Sequence, residues 1–354
     1  MKLVTYDRLY IDTLLRKRSG EVKLGEKVKS LPWGINENFA DVLSQNNCKY
    51  VLLGLPEDIG VRANGGRGGT YSAWLPVLNT LLNTQSNHFL TGEELLVLGH
   101  IDFTDVMNAA KNLDFHKKED LATARNMVAE IDDAVAPVIR QIIESGKEAI
   151  IIGGGHNNAY PCIKGAALGL YNTGKIKTAA INVMNCDAHS DFRLLEGRHS
   201  GNPFSYAFNE NILSKYSMTG LHESYNTQIV LEELNKHTDR IHYTTFEEIY
   251  IREELSFEEA LSNSIAFTAD GYTGLEIDLD AIQNIPSSAK TSSGISTIEA
   301  RRFIHKAAVS CKIPYFHIAE AAPVLSHIKT DLKTGKLVSY LVTDYIKARN
   351  MVIK

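Results

Sequence analysis

Residues 179–191 read AAINVMNCDAHSD, an apolar run of strand length that ends in two carboxylates and an imidazole. Asp187, His189 and Asp191 stand two residues apart, and in extended backbone such residues point to the same side. Two carboxylates and an imidazole suit a divalent cation such as Mn²⁺, Zn²⁺ or Fe²⁺. The pattern predicts metal ligands at a strand end, and solvated residues that cap a following helix are the alternative.

Seven further apolar runs have strand length, and several lack the alternation of a half-exposed strand. They lie at Tyr50–Leu55, Leu95–Leu98, Ala149–Ile152, Tyr216–Leu221, Arg240–Thr244, Gly274–Leu279 and Tyr315–Ala319. Between them, Leu121–Ser145 carries an apolar stripe at helical spacing, and residues 337–346 repeat it. Strands that alternate with helices over this length predict a parallel sheet with helices on both faces.

Composition narrows the class of protein. The 354 residues are 44% hydrophobic and 22% charged, with a formal net charge of −5, which excludes a disordered chain and argues against a nucleic-acid partner. Four scattered cysteines indicate a reducing compartment. Because no run approaches the roughly 18 apolar residues of a membrane span and no signal peptide is evident, we expect a cytoplasmic protein.

No linker divides the chain. The glycine-rich stretches at 64–69 and 153–155 directly follow predicted strands, so they are typical of functional loops rather than hinges. We therefore expect a single domain over residues 1–354, with residues 1–48 as an N-terminal extension packed on it.

Two more polar clusters follow predicted strands, where open α/β sheets bind their ligands. Asp278 and Asp280 share one face, and two like charges repel unless a cation or a proton lies between them. His156 follows three glycines that allow a sharp turn toward a ligand. Taken alone, each cluster has another explanation. Asp278 and Asp280 would be a solvated pair, and the glycine turn would bind phosphate or simply carry a packed histidine.

Together the three clusters offer four carboxylates and two imidazoles, and their four negative charges balance two divalent cations. Two such ions about 3.5–4 Å apart can share a water, lower its pKa and hold it against an electrophilic carbon. The combination predicts hydrolytic chemistry.

These motifs give the chain its resemblance to the arginase (ureohydrolase) superfamily. The Gly-Gly-x-His, Asp-Ala-His-x-Asp and Asp-x-Asp motifs of that family match residues 153–156, 187–191 and 278–280, in the same order. The resemblance implies a three-layer α/β/α fold around an eight-stranded parallel sheet and two Mn²⁺ ions per chain. It also implies that Asp187 and Asp278 bridge the two ions. His156 and Asp191 would be ligands of one ion, and His189 and Asp280 would be ligands of the other.

Within the superfamily the chain looks most like the formimidoylglutamase branch. Gly155 stands where many members have Asp, a change expected to retune His156 and weaken metal affinity. Arg193 stands where arginases typically have Asn, and its planar fork suits a substrate carboxylate held through two hydrogen bonds. An ion pair between Arg193 and Glu196 explains the arginine equally well.

Three further residues receive roles from the resemblance. His199 matches the proton-shuttle histidine of arginases, and a histidine of near-neutral pKa suits protonation of a leaving amine. Glu320 would be the anionic partner of the substrate's amidinium, and Asn202 is expected to contact the substrate. A solvated loop histidine and a helix-start carboxylate are the simpler explanations for His199 and Glu320.

The predicted activity is hydrolysis of a linear amidine by a metal-bridging hydroxide. The leading substrate is N-formimidoyl-L-glutamate, which gives L-glutamate and formamide in histidine catabolism. Three alternatives stay open: an arginase or agmatinase that releases urea, a single-metal deacetylase-type enzyme, and a metal-binding protein without catalysis. All six ligand positions argue against the second alternative, and only Gly155 favours the third. The resemblance also suggests a homo-oligomer.

Overall fold

The computed structural model describes residues 1–32, 39–326 and 332–352, so part of the predicted N-terminal extension, residues 33–38, lies outside the described residues. In these ranges ten strands form one sheet. In chain order they are β1 Lys2–Thr5, β2 Lys29–Ser30, β3 Tyr50–Gly54, β4 Leu95–Asp102, β5 Glu148–Ile152, β6 Ile181–Cys186, β7 Leu213–Leu221, β8 Ile241–Thr245, β9 Thr273–Asp278 and β10 Tyr315–Ala319. Their order across the sheet is β1-β4-β3-β5-β10-β9-β6-β7-β8, and β2 also pairs with β4.

The eight strands from β3 to β10 are all parallel and correspond to the eight apolar runs of the sequence. The strand count differs from the expectation because two N-terminal strands extend the sheet. β1 is antiparallel to β4, and β2 is parallel to it. Strands of four and two residues carry too little hydrophobic periodicity to be recognised in a sequence.

Fourteen α-helices surround this sheet within the described ranges. They are α1 Arg8–Thr13, α2 Leu24–Lys27, α3 Ala40–Gln45, α4 Ile59–Ala63, α5 Trp74–Leu82, α6 Thr104–Ala110, α7 Lys118–Glu144, α8 Ala159–Asn172, α9 Pro203–Asn209, α10 Gln228–Asn235, α11 Phe246–Tyr250, α12 Phe257–Thr268, α13 Thr297–Ser310 and α14 Leu332–Val352. None of these helices has the length and apolarity needed to span a bilayer.

The core lies on both faces of the sheet. Leu52 and Ile150 belong to a buried cluster that includes side chains of α5, α13 and α14. Their strand neighbours Val51 and Ile151 point the other way and pack with side chains of α7 and α8. Burial on both faces explains why the strands read as continuous apolar runs, and it gives the three layers that were expected.

Four neighbouring strands of this sheet, β5, β10, β9 and β6, position the polar residues. His156 follows β5, Glu320 follows β10, Asp278 ends β9, and Asp187 follows β6. Because the carboxyl ends of parallel strands meet at one edge of the sheet, residues that are far apart in sequence converge there.

Candidate metal centre

Four of the six predicted ligands meet in one buried cluster. Nδ1 of His156 lies 2.9 Å from Oδ2 of Asp191, 3.1 Å from Oδ2 of Asp187 and 3.2 Å from Oδ2 of Asp278. All four ligand atoms lie within 4.8 Å of one another. We call His156, Asp187, Asp191 and Asp278 the inner cluster.

The inner cluster fits a divalent cation. Neither ring nitrogen of the fully buried His156 has a hydrogen-bond partner among the described residues, although three carboxylates surround Nδ1. Neighbouring ligands of an ion with bonds of about 2.1 Å at right angles lie about 3 Å apart, which is the spacing seen around Nδ1. Oxygen and imidazole ligands in this number suit Mn²⁺. The arrangement is therefore that of ligand atoms aimed at a common centre.

The turn after β5 delivers His156. Gly153 and Gly154 have φ of 89° and 73°, a left-handed conformation that glycine adopts without strain. The fully buried Glu57 accepts hydrogen bonds from the N–H of Gly155 at 3.1 Å and from the Asn158 side chain at 2.6 Å. Glu57, which follows β3, thereby fixes the loop that carries the histidine.

The space around Gly155 is tight. A Cβ atom on Gly155 would lie 2.6 Å from both Asn157 Oδ1 and Val61 Cγ2, so a side chain there would require these two side chains to move. Glu57 supplies a carboxylate to the same loop from a neighbouring strand end. Weakened metal affinity because of Gly155 stays a prediction.

Asp191 and Glu320 adopt a left-handed backbone that is rare for side chains with a Cβ, with φ of 45° and 63°. Strained backbone of this kind concentrates at functional sites, where it aims a side chain that a regular strand or helix would turn elsewhere. Asp191 thereby reaches the inner cluster.

Burial and charge compete within the inner cluster. Burial alone would lower the pKa of His156, but Asp187, Asp191 and Asp278 outweigh it and hold that pKa well above its usual range. Burial raises the pKa of Asp278 far above normal, and the adjacent Asp280 and Asp187 add to this effect. The carboxylates repel one another, and a bound cation would relieve that repulsion.

His189 and Asp280, which we call the outer pair, lie apart from the inner cluster. Nδ1 of His189 lies 3.7 Å from Oδ1 of Asp187, and its side chain is 29% exposed. The ring of Tyr225 stacks on His189 with centroids 5.2 Å apart. Asp280 accepts hydrogen bonds from Ser288 Oγ at 3.2 Å and from the N–H of residue 289 at 3.0 Å. Neither ligand belongs to the inner cluster, yet both line the same cavity.

This cavity has a volume of about 410 Å³ and an acidic, buried floor that includes Asp191, Asp278, Asp280 and Glu320. Oε1 of Glu320 accepts a hydrogen bond from the N–H of His156 at 2.7 Å, whereas the buried Oε2 has no partner among the described residues. This oxygen is therefore available to accept a hydrogen bond from a cationic group in the cavity.

Arg193 lines the same cavity with a side chain that is 52% exposed. Its Nη1 donates to Asn64 Oδ1 at 2.7 Å, and Nη2 lies 3.9 Å from Oε1 of Glu196. The arginine is thus both a cavity residue and a member of a weak, exposed ion pair.

A sequence profile of the arginase family matches residues 49–344. The chain belongs to the arginase family. The formimidoylglutamase of Streptococcus gordonii is 24% identical over 306 residues, which cover 82% of this chain and 84% of that protein. The solved formimidoylglutamase of Bacillus subtilis superposes with a TM-score of 0.70 at 18% identity, over 95% of this chain and 94% of that one. Trypanosoma cruzi formiminoglutamase with Mn²⁺ gives 0.68 at 18% identity, over 93% and 98%. These likenesses confirm the arginase-like fold.

Two residues that the arginase-family resemblance assigned, His199 and Asn202, are not among the residues that line this cavity, and their expected roles stay predictions. His199 and Asn202 are completely buried in the loop before α9. Nδ1 of His199 accepts from the N–H of Gly201 at 3.1 Å, and Nε2 lies 3.1 Å from Oε1 of Glu196. Burial, followed by the nearby Arg125, lowers the pKa of His199 to about 3, which keeps the ring neutral.

Asn202 has all of its polar atoms engaged within the protein. Its Oδ1 accepts from Arg198 Nη1 at 2.9 Å and from the N–H of His199 at 3.0 Å, and its Nδ2 donates to the carbonyl of Gly197 at 2.8 Å. Arg198 in turn pairs with the buried Asp132 at 2.8 Å. These contacts hold the loop before α9, and proton transfer by His199 and substrate contact by Asn202 stay predictions.

Four residues of this arginase-family site escaped the sequence reasoning: Glu57, Tyr225, Glu276 and His317. Glu57 stands two residues beyond the predicted strand Tyr50–Leu55, so an acid after a strand was a usable signal. Tyr225 becomes recognisable only through its ring contact with His189. Glu276 and His317 read as interior positions of apolar strands, and nothing in a one-dimensional pattern pairs them.

Proposed function

We propose that this protein is a manganese-dependent hydrolase of linear amidines and that N-formimidoyl-L-glutamate is its substrate. The observation that carries the proposal is the inner cluster, which lies at the floor of a cavity that also holds an unpartnered carboxylate oxygen and an arginine. Membership of the arginase family gives the reaction class, and the relatives named formimidoylglutamase suggest the substrate.

The inner cluster would hold one Mn²⁺ ion. The outer pair, together with the shared carboxylates of Asp187 and Asp278, would hold a second. When bound, a pair of Mn²⁺ ions lowers the pKa of a water held between them and so supplies the nucleophile. The side chains of this chain supply charge balance, substrate orientation and exclusion of bulk water.

Glu320 would orient the amidinium group of the substrate. Its Oε1 is already fixed by the N–H of His156, which leaves Oε2 to accept an N–H from the substrate. Burial, with Asp278 and Asp280 nearby, raises the pKa of this carboxyl, and a cationic substrate favours its charged form. The electrophilic carbon of the amidine would then lie against the floor of the cavity.

Arg193 would bind a carboxylate of the substrate. A guanidinium pairs with a carboxylate through two parallel hydrogen bonds, and Asn64 already steadies one end of this fork. N-formimidoyl-L-glutamate places carboxylates away from the reacting carbon, whereas agmatine has none. A cavity with an acidic floor and an arginine therefore favours an amino-acid amidine over agmatine.

The test is turnover of a substrate panel by the purified Mn²⁺-loaded protein. We expect N-formimidoyl-L-glutamate to give formamide and L-glutamate, while arginine and agmatine release little urea. Efficient urea release without formamide would move the protein to the guanidine hydrolases and leave the metal site intact. The absence of every product, with two Mn²⁺ ions bound per chain, would support a metal-binding protein without catalysis.

Three other features stay predictions from the sequence. They are a single domain over residues 1–354, cytoplasmic location and homo-oligomeric assembly. The single sheet shared by β1 and the strands of the site supports the first of these. Light scattering of the purified protein would measure the oligomeric state.

A further inference from the structure

Beneath the inner cluster lies a buried carboxylate between two imidazoles. Oε2 of Glu276 is 2.7 Å from Nδ1 of His317 and 3.5 Å from Nε2 of His156. All three side chains are completely inaccessible to solvent. Glu276 and His317 are register partners on the adjacent strands β9 and β10, so the sheet itself holds them together.

The far side of His317 completes this arrangement. Its Nε2 lies 3.2 Å from the carbonyl oxygen of Gly153, the first glycine of the turn that carries His156. A carbonyl oxygen only accepts, so Nε2 of His317 donates to it, just as Nδ1 donates to the carboxylate of Glu276. The contacts therefore run from the turn through His317 and Glu276 to the back of the His156 ring.

We propose that Glu276 is a positioning residue for His156. By facing Nε2, it selects the ring orientation in which Nδ1 points at the carboxylates of the inner cluster. His317 in turn fixes Glu276. A metal-ligating histidine commonly donates its second N–H to a carboxylate, which sets both its tautomer and its orientation. The inference rests on the proposed metal site.

The burial of Glu276 supports this assignment. Its other oxygen, Oε1, has no hydrogen-bond partner among the described residues, and an incompletely paired buried carboxylate is destabilising. A role in the fold alone would be served better by an apolar side chain in this strand. A role toward His156 requires an acceptor at Oε2, the oxygen that faces the ring of this histidine.

The three side chains could instead hold an ion of their own, since their ligand atoms also lie within 4.8 Å of one another. The contact of 2.7 Å between His317 Nδ1 and Glu276 Oε2 is a hydrogen-bond distance. Unlike the inner cluster, which reaches the cavity through Asp191 and Asp278, this group has no residue in the cavity lining. We therefore favour the hydrogen-bonded arrangement, and a count of bound ions distinguishes the two.

Glu276→Gln is the most informative variant because a single oxygen, Oε2, faces the rings of both His317 and His156. An amide of the same shape has no negative charge, so its oxygen at this position is a weaker acceptor for the ring nitrogens of His317 and His156. Glu148→Gln is the matched control. Glu148 is also a poorly exposed acid in an ion pair, with Arg349 at 2.6 Å, but it starts β5 at the opposite edge of the sheet.

The measurements are Mn²⁺ affinity and stoichiometry by calorimetry, the visible absorption of the Co²⁺-loaded protein, and the melting temperature without metal. Glu276→Gln should weaken Mn²⁺ binding about 10–100-fold and change the Co²⁺ spectrum. Glu148→Gln should lower the melting temperature and leave both metal readouts unchanged. Wild-type affinity and spectrum in Glu276→Gln, with only a lower melting temperature, would overturn the inference.

His317→Gln serves if Glu276→Gln does not fold. It leaves the carboxylate in place and removes the ring that fixes it, so Mn²⁺ binding should weaken by a smaller factor, and an unchanged affinity would again overturn the inference. Three ions per chain in the wild type would make Glu276 and His317 ligands instead. A wild-type protein that binds no Mn²⁺ would overturn the proposed metal site itself, a result that is separate from any variant.

Discussion

In the inner cluster every ligand is buried and the nitrogen-to-oxygen distances are 2.9–3.2 Å, whereas in the outer pair His189 is partly exposed and 3.7 Å from the nearest carboxylate oxygen. Glu276 lies behind the inner histidine, 3.5 Å from its Nε2, while the ring of the outer histidine stacks on Tyr225 at the cavity wall. A preorganised group binds an ion without first ordering its ligands. We expect the inner ion to bind more tightly and the outer ion to exchange first.

The largest effect should come from removing a carboxylate that both ions share. Asp278→Asn should leave at most one weakly bound Mn²⁺ per chain and lower kcat/KM at least about 100-fold, because metal ligands matter more than the residues that support them. Asp280→Asn, its counterpart in the outer pair, should retain the inner ion. Metal analysis after gel filtration measures both. Two tightly bound ions in Asp278→Asn would contradict the division into inner and outer ligands.

Metal affinity should rise steeply with pH. Without metal, neighbouring carboxylates hold the pKa of His156 well above normal, and Asp187 outweighs burial to raise that of His189 to about 10. Both rings are therefore protonated at neutral pH and must release those protons to bind an ion, so binding weakens as the pH falls. Each released proton contributes about tenfold per pH unit. Calorimetry in buffers of different ionisation enthalpy counts the protons, and a count of zero would refute the prediction.

Replacement of Arg193 should reduce turnover more modestly. Because the guanidinium is half-exposed, Arg193→Ala should lower kcat/KM for N-formimidoyl-L-glutamate by about tenfold, near the value of one charge-assisted hydrogen bond. Arg193→Lys should recover part of this loss, since a lysine keeps the charge without the fork. Mn²⁺ binding should be unchanged in both variants. If kcat/KM is also unchanged, Arg193 serves only its contacts with Asn64 and Glu196.

The smallest effect should follow the loss of the Tyr225 ring. Tyr225→Leu removes the surface on which His189 stacks and should weaken the outer ion about threefold, within the range of an aromatic pair. Tyr225→Phe keeps the ring and is the control. Competition with a metal-binding dye resolves two affinities. A selective loss of the inner ion in Tyr225→Leu would reverse the proposed order.

Much of the fold followed from the sequence because strands buried on both faces have a strong apolar signature and end at recognisable polar residues. The same property gave the six candidate ligands, since each stands at or just beyond a strand end, and the structure brings four of them together. Residues whose importance depends on a distant partner were missed: Glu57 meets a loop nearly a hundred residues away, and Glu276 meets His317 across two strands. The burial of His199 could not be read from the sequence, because its ring is held by hydrogen bonds that depend on how its own loop folds.

The pairing of β1 with β4 affects how the protein should be produced. Lys2–Thr5 occupy one side of β4 antiparallel to residues 99–102, and Trp74 donates a hydrogen bond to Tyr6 immediately after this strand. A fragment trimmed to the family match at residue 49 would expose the backbone groups of β4 as an open edge, which other chains can extend. We therefore expect the folding unit to be longer than the matched region, and such a fragment should aggregate although every proposed metal ligand is present.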